Sequence, residues 1–282
     1  MSTNPIVVYG RMIKFSHSIF AMPFALASAA LAAREATVSA AQVGLVVACM
    51  VLARSCAMGF NRLVDRHIDA KNPRTATREI PSGQMSVGAA TAITAAAAAL
   101  FVVCAALLNP LCGALSPVAL AVVCGYSYAK RFTALVHLWL GVALGLAPVA
   151  AWIALTGTVS SAALLLAAAV ATWVAGFDIL YSLQDEGFDR GEGLHSIPVA
   201  LGQVGAMVVS AGLHVVTVAA LAALPAVVAL SWPYWVGFAA ITAVLAYEHW
   251  LVRPGDLSKI DKAFFDLNGY VSLLFLGAVV LG

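Results

Sequence analysis

The sequence predicts an all-α polytopic membrane protein with about nine transmembrane helices, built as two pseudo-repeated four-helix units plus a ninth helix. Three observations carry this expectation. Hydrophobic residues make up 62% of the 282-residue chain, and its mean hydropathy is +0.96, more than a water-soluble core of this length needs. The apolar runs are each close to the ~20 residues that cross ~30 Å of hydrocarbon. The charged residues are only 10% of the chain, and many of them gather in two segments of matching pattern, NRLVDRHID at 61–69 and YSLQDEGFD at 181–189.

In chain order the spans fall at 16–33, 40–60, 87–108, 111–128, 134–155, 162–181, 203–224, 231–251 and 264–281. They are rich in Ala and Leu and do not alternate. In lipid each backbone amide must find a partner inside its own segment, so these runs are helices rather than strands. An odd number of spans puts the termini on opposite faces. The basic residues, from Arg11 and Lys14 through Lys130 to Lys262, then share the N-terminal face, with Arg34 opposite them. The positive-inside rule makes that first face cytoplasmic. The run AMPFALASAALAA has the look of a secretory signal, but it is as long as a span and is read as the first helix. The expected setting is therefore the inner (cytoplasmic) membrane, with the N-terminus and the active-site mouth cytoplasmic and the C-terminus on the other side. Residues 1–282 are expected to form a single intramembrane domain surrounded by membrane lipids. A net charge of +2 gives no reason to expect nucleic acid as a partner.

Asn61, Asp65 and Asp69 align with Tyr181, Asp185 and Asp189. Each motif closes an apolar helix, and each is followed by a polar loop ending in Ile-Pro, at Ile80-Pro81 and Ile197-Pro198. Four spans separate the motifs, so both emerge on one face, as two parallel repeats would place them. The cysteines Cys49, Cys56, Cys104, Cys112 and Cys124 lack metal-like spacing and are read as small buried hydrophobes. His67 and His195 are read as loop residues, and His17, His137, His214 and His249 as hydrogen-bonded helix residues. The six tryptophans belong to the interface belt or to packing.

Residues four apart lie one helical turn above each other, so Asp65 and Asp69 present two carboxylates along one side, with the Asn61 amide a turn deeper. Tyr181, Asp185 and Asp189 repeat the pattern on a helix that Gly187 loosens. Facing carboxylate pairs repel where water is scarce unless cations join them. An oxygen-only set suits Mg²⁺, which bridges carboxylates to substrate phosphates, and nothing here resembles a His/Cys zinc set. The competing structural reading pairs Asp65 and Asp69 with Arg62 and Arg66 at a solvated helix end; two copies with equal spacing on one face weigh against it. The cations a diphosphate would need are Lys14, Lys71, Arg74, Arg78, Lys130 and Arg131. Tyr126 stands one turn before Lys130.

These residues resemble those of the UbiA superfamily of intramembrane prenyltransferases. The resemblance runs over essentially the whole chain and rests on NRLVDRHID, PRTATREIPSG, YSYAKRFT and DILYSLQDEGFD together. It implies a nine-helix fold around a central cavity, in which Mg²⁺ sits on an isoprenyl diphosphate and an acceptor is prenylated. The metal positions it implies are Asn61, Asp65, Asp69, Asp185 and Asp189. The diphosphate contacts it implies are Lys14, Arg74, Arg78, Tyr126 and Lys130. Two departures stand out: Arg62 occupies a position that is often Asp, which leaves the number of metal ions open, and Glu79 occupies one that is commonly Pro.

The implied chemistry is ionisation followed by capture. Cations stabilise the departing diphosphate, water is excluded, and Tyr181 and Tyr126 offer aromatic faces to the allylic cation. Asp178 is expected to polarise an acceptor hydroxyl or take the ring proton, unless it is a buried brace. Arg54, deep in the second span where an unpaired charge is costly, is expected to anchor an acceptor carboxylate. The acceptor that the resemblance implies is a hydroxylated aromatic acid. The segments ARSCAMGFNRLVDRHIDAKNPRTATREIPSG and YSLQDEGFDRGEGLHSIP resemble the 4-hydroxybenzoate polyprenyltransferase-like subgroup, some of whose members resemble the prenyltransferase of the futalosine route to menaquinone; the acceptor that implies is 1,4-dihydroxy-6-naphthoate, with 4-hydroxybenzoate of ubiquinone synthesis as the alternative. A transporter is the reading from another class, and it would need polar groups near the midplane rather than crowded at one face.

Overall fold

The computed structural model describes residues 4–13 and 22–282. Among them the chain is helical, with no named strands. The helices are α1 (Pro5–Met12), α2 (Met22–Ala32), α3 (Ala40–Lys71), α4 (Val87–Leu108), α5 (Pro110–Ala129), α6 (Val136–Thr156), α7 (Ser161–Ser182), α8 (Glu186–Gly191), α9 (Ile197–Ala223), α10 (Trp232–Leu251), α11 (Ile260–Lys262) and α12 (Asn268–Leu281). Among the described residues seven segments are long and apolar enough to cross a membrane: α3, α4, α5, α6, Ser161–Gly191, Ile197–Ala226 and Ile260–Leu281. Of the other two expected spans, α10 has 20 residues but carries Glu248, His249 and several Trp and Tyr residues. The span expected at 16–33 is described only from Met22.

The helices fall into two compact units. The first holds α1 and Ala40–Tyr128; the second holds α2 and Ala129–Gly282. This packing division does not follow the four-plus-four sequence repeat, because α2 packs on α6 and α12. Ser28 of α2 donates to the Pro148 carbonyl in α6 (2.7 Å), and Phe24 stacks on Phe275 of α12, with ring centroids 4.6 Å apart.

In the first unit α3 runs for 32 residues, about 48 Å at 1.5 Å per residue. It therefore outlasts the hydrocarbon, and its last turns carry the first acidic motif. Tyr9 of α1 fastens this helix: its hydroxyl donates to the Ser55 carbonyl (2.8 Å) and lies 2.9 Å from Thr94 Oγ1 of α4. Ile80 and Met85, from the loop after the motif, pack with Val8, Tyr9 and Met12 of α1 and with its C-cap, Ile13. The loop is thereby folded back against α1.

In the second unit α6 approaches α7 through small residues. Gly141 and Gly145 face Ala167, Ala171 and Ala175 so closely that a Cβ at Gly145 would lie 2.7 Å from the Ala167 carbonyl oxygen. Such small-residue seams let helix backbones meet where lipid offers no hydrophobic drive. Polar side chains of α9 then bond the α7 backbone: Ser210 Oγ to the Gly176 carbonyl (2.7 Å), His214 Nε2 to that of Trp173 (3.2 Å) and Thr217 Oγ1 to that of Ala169 (3.4 Å). Within α9 the helix breaks at Gly202 (φ 69°, ψ 177°), a conformation open essentially only to glycine. The break coincides with the expected start of the span at 203. Residues Ala263–Leu267 form a π turn before α12. Asn268 closes it: its Nδ2 donates to the Ala263 carbonyl and to Glu248 Oε1 (both 3.1 Å), while its Oδ1 accepts from Trp173 Nε1 (2.7 Å).

Replacing Gly141 by Ala would drive a methyl group into the Ala171 carbonyl oxygen. Overpacking of this kind costs about 1–3 kcal/mol, so Gly141→Ala is expected to lower the thermal unfolding midpoint in detergent. An unchanged midpoint would contradict the close α6–α7 seam.

Candidate active site

The first acidic motif occupies the last three turns of α3. Asp65 and Asp69 are 3% and 4% exposed and Arg62 is 6% exposed, unusual values for charged side chains. Asn61 Nδ2 donates to Asp65 Oδ2 (3.1 Å), and Arg62 Nη1 donates to Asn61 Oδ1 (3.1 Å). The Asn61 amide is thus held from both ends. Asp69 pairs with Arg78 rather than with a neighbour on its own helix: Arg78 Nη1 lies 2.7 Å from Asp69 Oδ1. Arg66 instead donates to the Leu63 carbonyl (2.7 Å). The loop that brings Arg78 back is fixed by Thr75 Oγ1 donating to the Asp69 carbonyl (3.0 Å) and by the Arg74 amide donating to Asn72 Oδ1 (2.9 Å).

Two buried atoms in this cluster lack hydrogen-bond partners among the described residues, Asp69 Oδ2 and Arg62 Nε. A buried carboxylate oxygen without a donor is costly alone and is satisfied by a hard cation; a buried guanidinium N–H is satisfied by an anion. Among the described residues no three His, Cys, Asp or Glu side chains form a ready-made cage. Mg²⁺ needs none, since it keeps several waters and takes one or two protein carboxylates plus substrate phosphate. The residues therefore fit a Mg²⁺-diphosphate ligand. Tyr126 of α5 is close enough to Arg54 and Arg62 to interact with both electrostatically. The first unit thus brings together Arg54, Asn61, Arg62, Asp65, Asp69, Arg78 and Tyr126. Arg74 is exposed nearby, and Lys14 lies outside the described residues.

The second motif is shaped differently. Tyr181 ends α7, residues Leu183–Asp185 form a 3₁₀ turn, and Asp189 lies on α8. In place of the loosening expected at Gly187, the helix tightens into this turn just before it, and Asp185 and Asp189 do not share one continuous α-helix with Tyr181. Both carboxylates are half-buried. The turn holding Lys130 is tied to the following loop, since the His195 amide donates to the Lys130 carbonyl (2.7 Å).

Around Tyr181 the second unit builds an aromatic patch that sequence reading missed. Tyr181 stacks on Phe264 at 4.0 Å, Phe264 meets Phe177 edge-on at 5.3 Å, and Phe265 stands 6.1 Å from Tyr181. Phe264 and Phe265 reach it from the π turn, a feature no periodicity signals. On the same α7, Asp178 is half-buried and its Oδ2 lies 2.7 Å from Nδ1 of buried His137.

A model of the UbiA prenyltransferase family matches residues 21–274. The chain is 31% identical over 231 residues to a 4-hydroxybenzoate octaprenyltransferase from Alkalilimnicola ehrlichii, covering 82% of this chain and 78% of that protein. It is 29% identical over 235 residues to the enzyme of the same name from Methylobacillus flagellatus, covering 83% and 78%. The apo structure of a UbiA homolog from Aeropyrum pernix K1 superposes with a TM-score of 0.85 at 36% identity, over 94% of this chain and 97% of that one. A UbiA homolog from Archaeoglobus fulgidus bound to DMAPP and Mg²⁺ gives 0.71 at 19% identity over 95% and 98%; this second likeness is one of fold.

Arg62→Met keeps the side-chain volume and removes the buried cation. Its affinity for inorganic diphosphate in the presence of Mg²⁺ is expected to fall about tenfold, as loss of a charge-assisted hydrogen bond does, with the thermal midpoint retained. An affinity equal to that of the unmodified protein would assign Arg62 to the scaffold.

Proposed function

The chain belongs to the UbiA prenyltransferase family, and on that premise we propose that it transfers a polyprenyl group from an isoprenyl diphosphate to a hydroxylated aromatic acid in respiratory quinone synthesis, with Mg²⁺ as cofactor. The observation that carries this reading is the buried Asp65–Asp69 pair, with one carboxylate oxygen lacking a donor beside Arg62 and Arg78. One cluster thereby offers a place for a divalent cation and for the anion it accompanies.

In this reading Asn61, Asp65, Asp69, Asp185 and Asp189 hold Mg²⁺, which when bound supplies positive charge to the leaving diphosphate. Arg74, Arg78, Lys130, Tyr126 and Lys14 bind the diphosphate itself. Arg78 has two duties, since it already neutralises one oxygen of Asp69. The allylic C–O bond breaks with its electron pair passing to the diphosphate. An acceptor ring carbon supplies the pair for the new C–C bond, and the ring proton leaves to a base. Tyr181 and Tyr126 offer aromatic faces to the transient cation. Apolar surroundings keep water from it. Arg54 anchors the acceptor carboxylate, and Asp178 accepts a hydrogen bond from the acceptor hydroxyl. Membership of an enzyme family replaces the transporter reading.

For the acceptor we propose 1,4-dihydroxy-6-naphthoate, because the segments around both acidic motifs resemble a 4-hydroxybenzoate polyprenyltransferase-like subgroup some of whose members resemble the futalosine-route prenyltransferase. The names of the relatives from Alkalilimnicola ehrlichii and Methylobacillus flagellatus favour 4-hydroxybenzoate as the second reading. Both acids carry the carboxylate that Arg54 would hold. The membrane is proposed to be the inner one, with the N-terminus and the acidic motifs at its cytoplasmic side.

Purified protein given both acids and a ladder of prenyl diphosphates is expected to release diphosphate only with Mg²⁺ and to prefer the naphthoate; absence of turnover with any aromatic acid would sink the enzyme reading. Asp65→Ala and Asp185→Ala should each lower kcat by about a hundredfold or more, the scale of a lost electrostatic stabiliser, while the bundle stays folded. Arg54→Leu should raise the acceptor KM and leave that of the diphosphate alone; equal effects on both would remove Arg54 from the acceptor site.

A further inference from the structure

The His137–Asp178 contact joins three elements of the second unit. His137 sits in the first turn of α6 and is 3% exposed, and Asp178 lies on α7 with a side chain 22% exposed. Ile197 is the first residue of α9. Its backbone N–H donates to His137 Nε2 (3.4 Å). A backbone N–H only donates, so Nε2 presents its lone pair and the ring proton of a neutral imidazole is on Nδ1. That proton faces Asp178 Oδ2 at 2.7 Å, the length of a charge-assisted hydrogen bond. The Ile197 amide is one of the orphan donors at a helix N-terminus; Ser196, the N-cap, serves Val199 instead. The arrangement is that of a carboxylate oriented by an imidazole whose tautomer is fixed by a third group.

We propose that His137 is a positioning residue: as its Nδ1–H tautomer, fixed by the Ile197 amide, it holds Asp178 Oδ2 so that Oδ1 is presented to the acceptor hydroxyl. The proposal rests on the assignment of Asp178 to the acceptor made above. It gives a buried histidine on a different helix a part in acceptor selection, and among the described residues the hydrogen bond recorded at the Asp178 carboxylate falls on Oδ2, from an imidazole. A lysine or arginine there would form an ion pair and compete with the incoming hydroxyl for the carboxylate; a neutral imidazole orients the group and leaves it able to accept.

The test separates the two bonds of the ring. His137→Asn keeps an N–H near the Nδ1 position and so the bond to Asp178; His137→Gln keeps an oxygen near the Nε2 position and so the bond to the Ile197 amide. Acceptor and diphosphate KM values and kcat are measured for both variants, for Asp178→Asn, and for His137→Gln combined with Asp178→Asn. The expected result is a loss in acceptor kcat/KM of about ten- to hundredfold in His137→Gln, the range spanned by a charge-assisted hydrogen bond. The diphosphate KM should not move, His137→Asn should recover most of the loss, and the double variant should be no worse than Asp178→Asn alone. A kinetically silent His137→Gln, or losses that multiply in the double variant, overturns the positioning role while leaving the function standing. Unmodified protein that turns over no hydroxylated aromatic acid overturns the function and this proposal with it. If His137→Gln fails to fold, a His137→Asn variant as impaired in acceptor kcat/KM as Asp178→Asn overturns the proposal, and a nearly intact one supports it.

Discussion

Asp65 and Asp69 lie buried one turn apart at the end of α3, and charge in so dry a place has to be balanced. Separated by a single turn and nearly cut off from solvent, two carboxylates destabilise one another and lose their hydration. Arg78 answers for one oxygen of Asp69, and the Asn61 amide for one of Asp65. Asp69 Oδ2 has no hydrogen-bond partner among the described residues. Several features of the first unit follow from that requirement. The helix has to run past its apolar stretch so that the acids reach the edge of the hydrocarbon. The loop at 72–86 has to fold back so that Arg78 returns to Asp69. Tyr9 and the apolar residues of α1 secure both, one through Ser55 and Thr94 and the other through Ile80 and Met85.

The second unit meets the same constraint with neutral partners. Trp173, Asn268 and Glu248 are buried among helices, and each bonds another in the chain Trp173 Nε1 to Asn268 Oδ1 and Asn268 Nδ2 to Glu248 Oε1. The same Asn268 closes the π turn that carries Phe264 and Phe265 to Tyr181. A buried polar brace thereby fixes an aromatic surface near the second acidic motif. His137 does similar work for Asp178, joining the starts of α6 and α9 to α7.

Much of this was legible in the sequence. Apolar run lengths located the helices, and the four-residue spacing located the first motif on a helix side, because both depend on local periodicity. The Gly202 break coincided with an expected span start for the same local reason. Besides the aromatic patch around Tyr181, three things were not legible. The partner of Asp69 is Arg78, nine positions away across a loop, whereas helical spacing alone pointed to Arg62 and Arg66. The second motif tightens into a 3₁₀ turn at Leu183–Asp185, although Gly187 suggested loosening further on. His137 and Asp178 are 41 positions apart, and only the packing of α6 on α7 joins them. Arg62 stands between these cases: its place in the motif was visible, but its bond to Asn61 was not.

The central claim is that the acidic residues bind the diphosphate through Mg²⁺. It is tested most directly by calorimetric titration of the protein with a non-ionisable thiolodiphosphate analogue of a long prenyl diphosphate, with and without Mg²⁺, in the unmodified protein and in Asp69→Asn and Asp189→Asn. The account predicts Mg²⁺-dependent binding that each substitution weakens strongly. Equal binding after Mg²⁺ is removed, or after either carboxylate is neutralised, would contradict it.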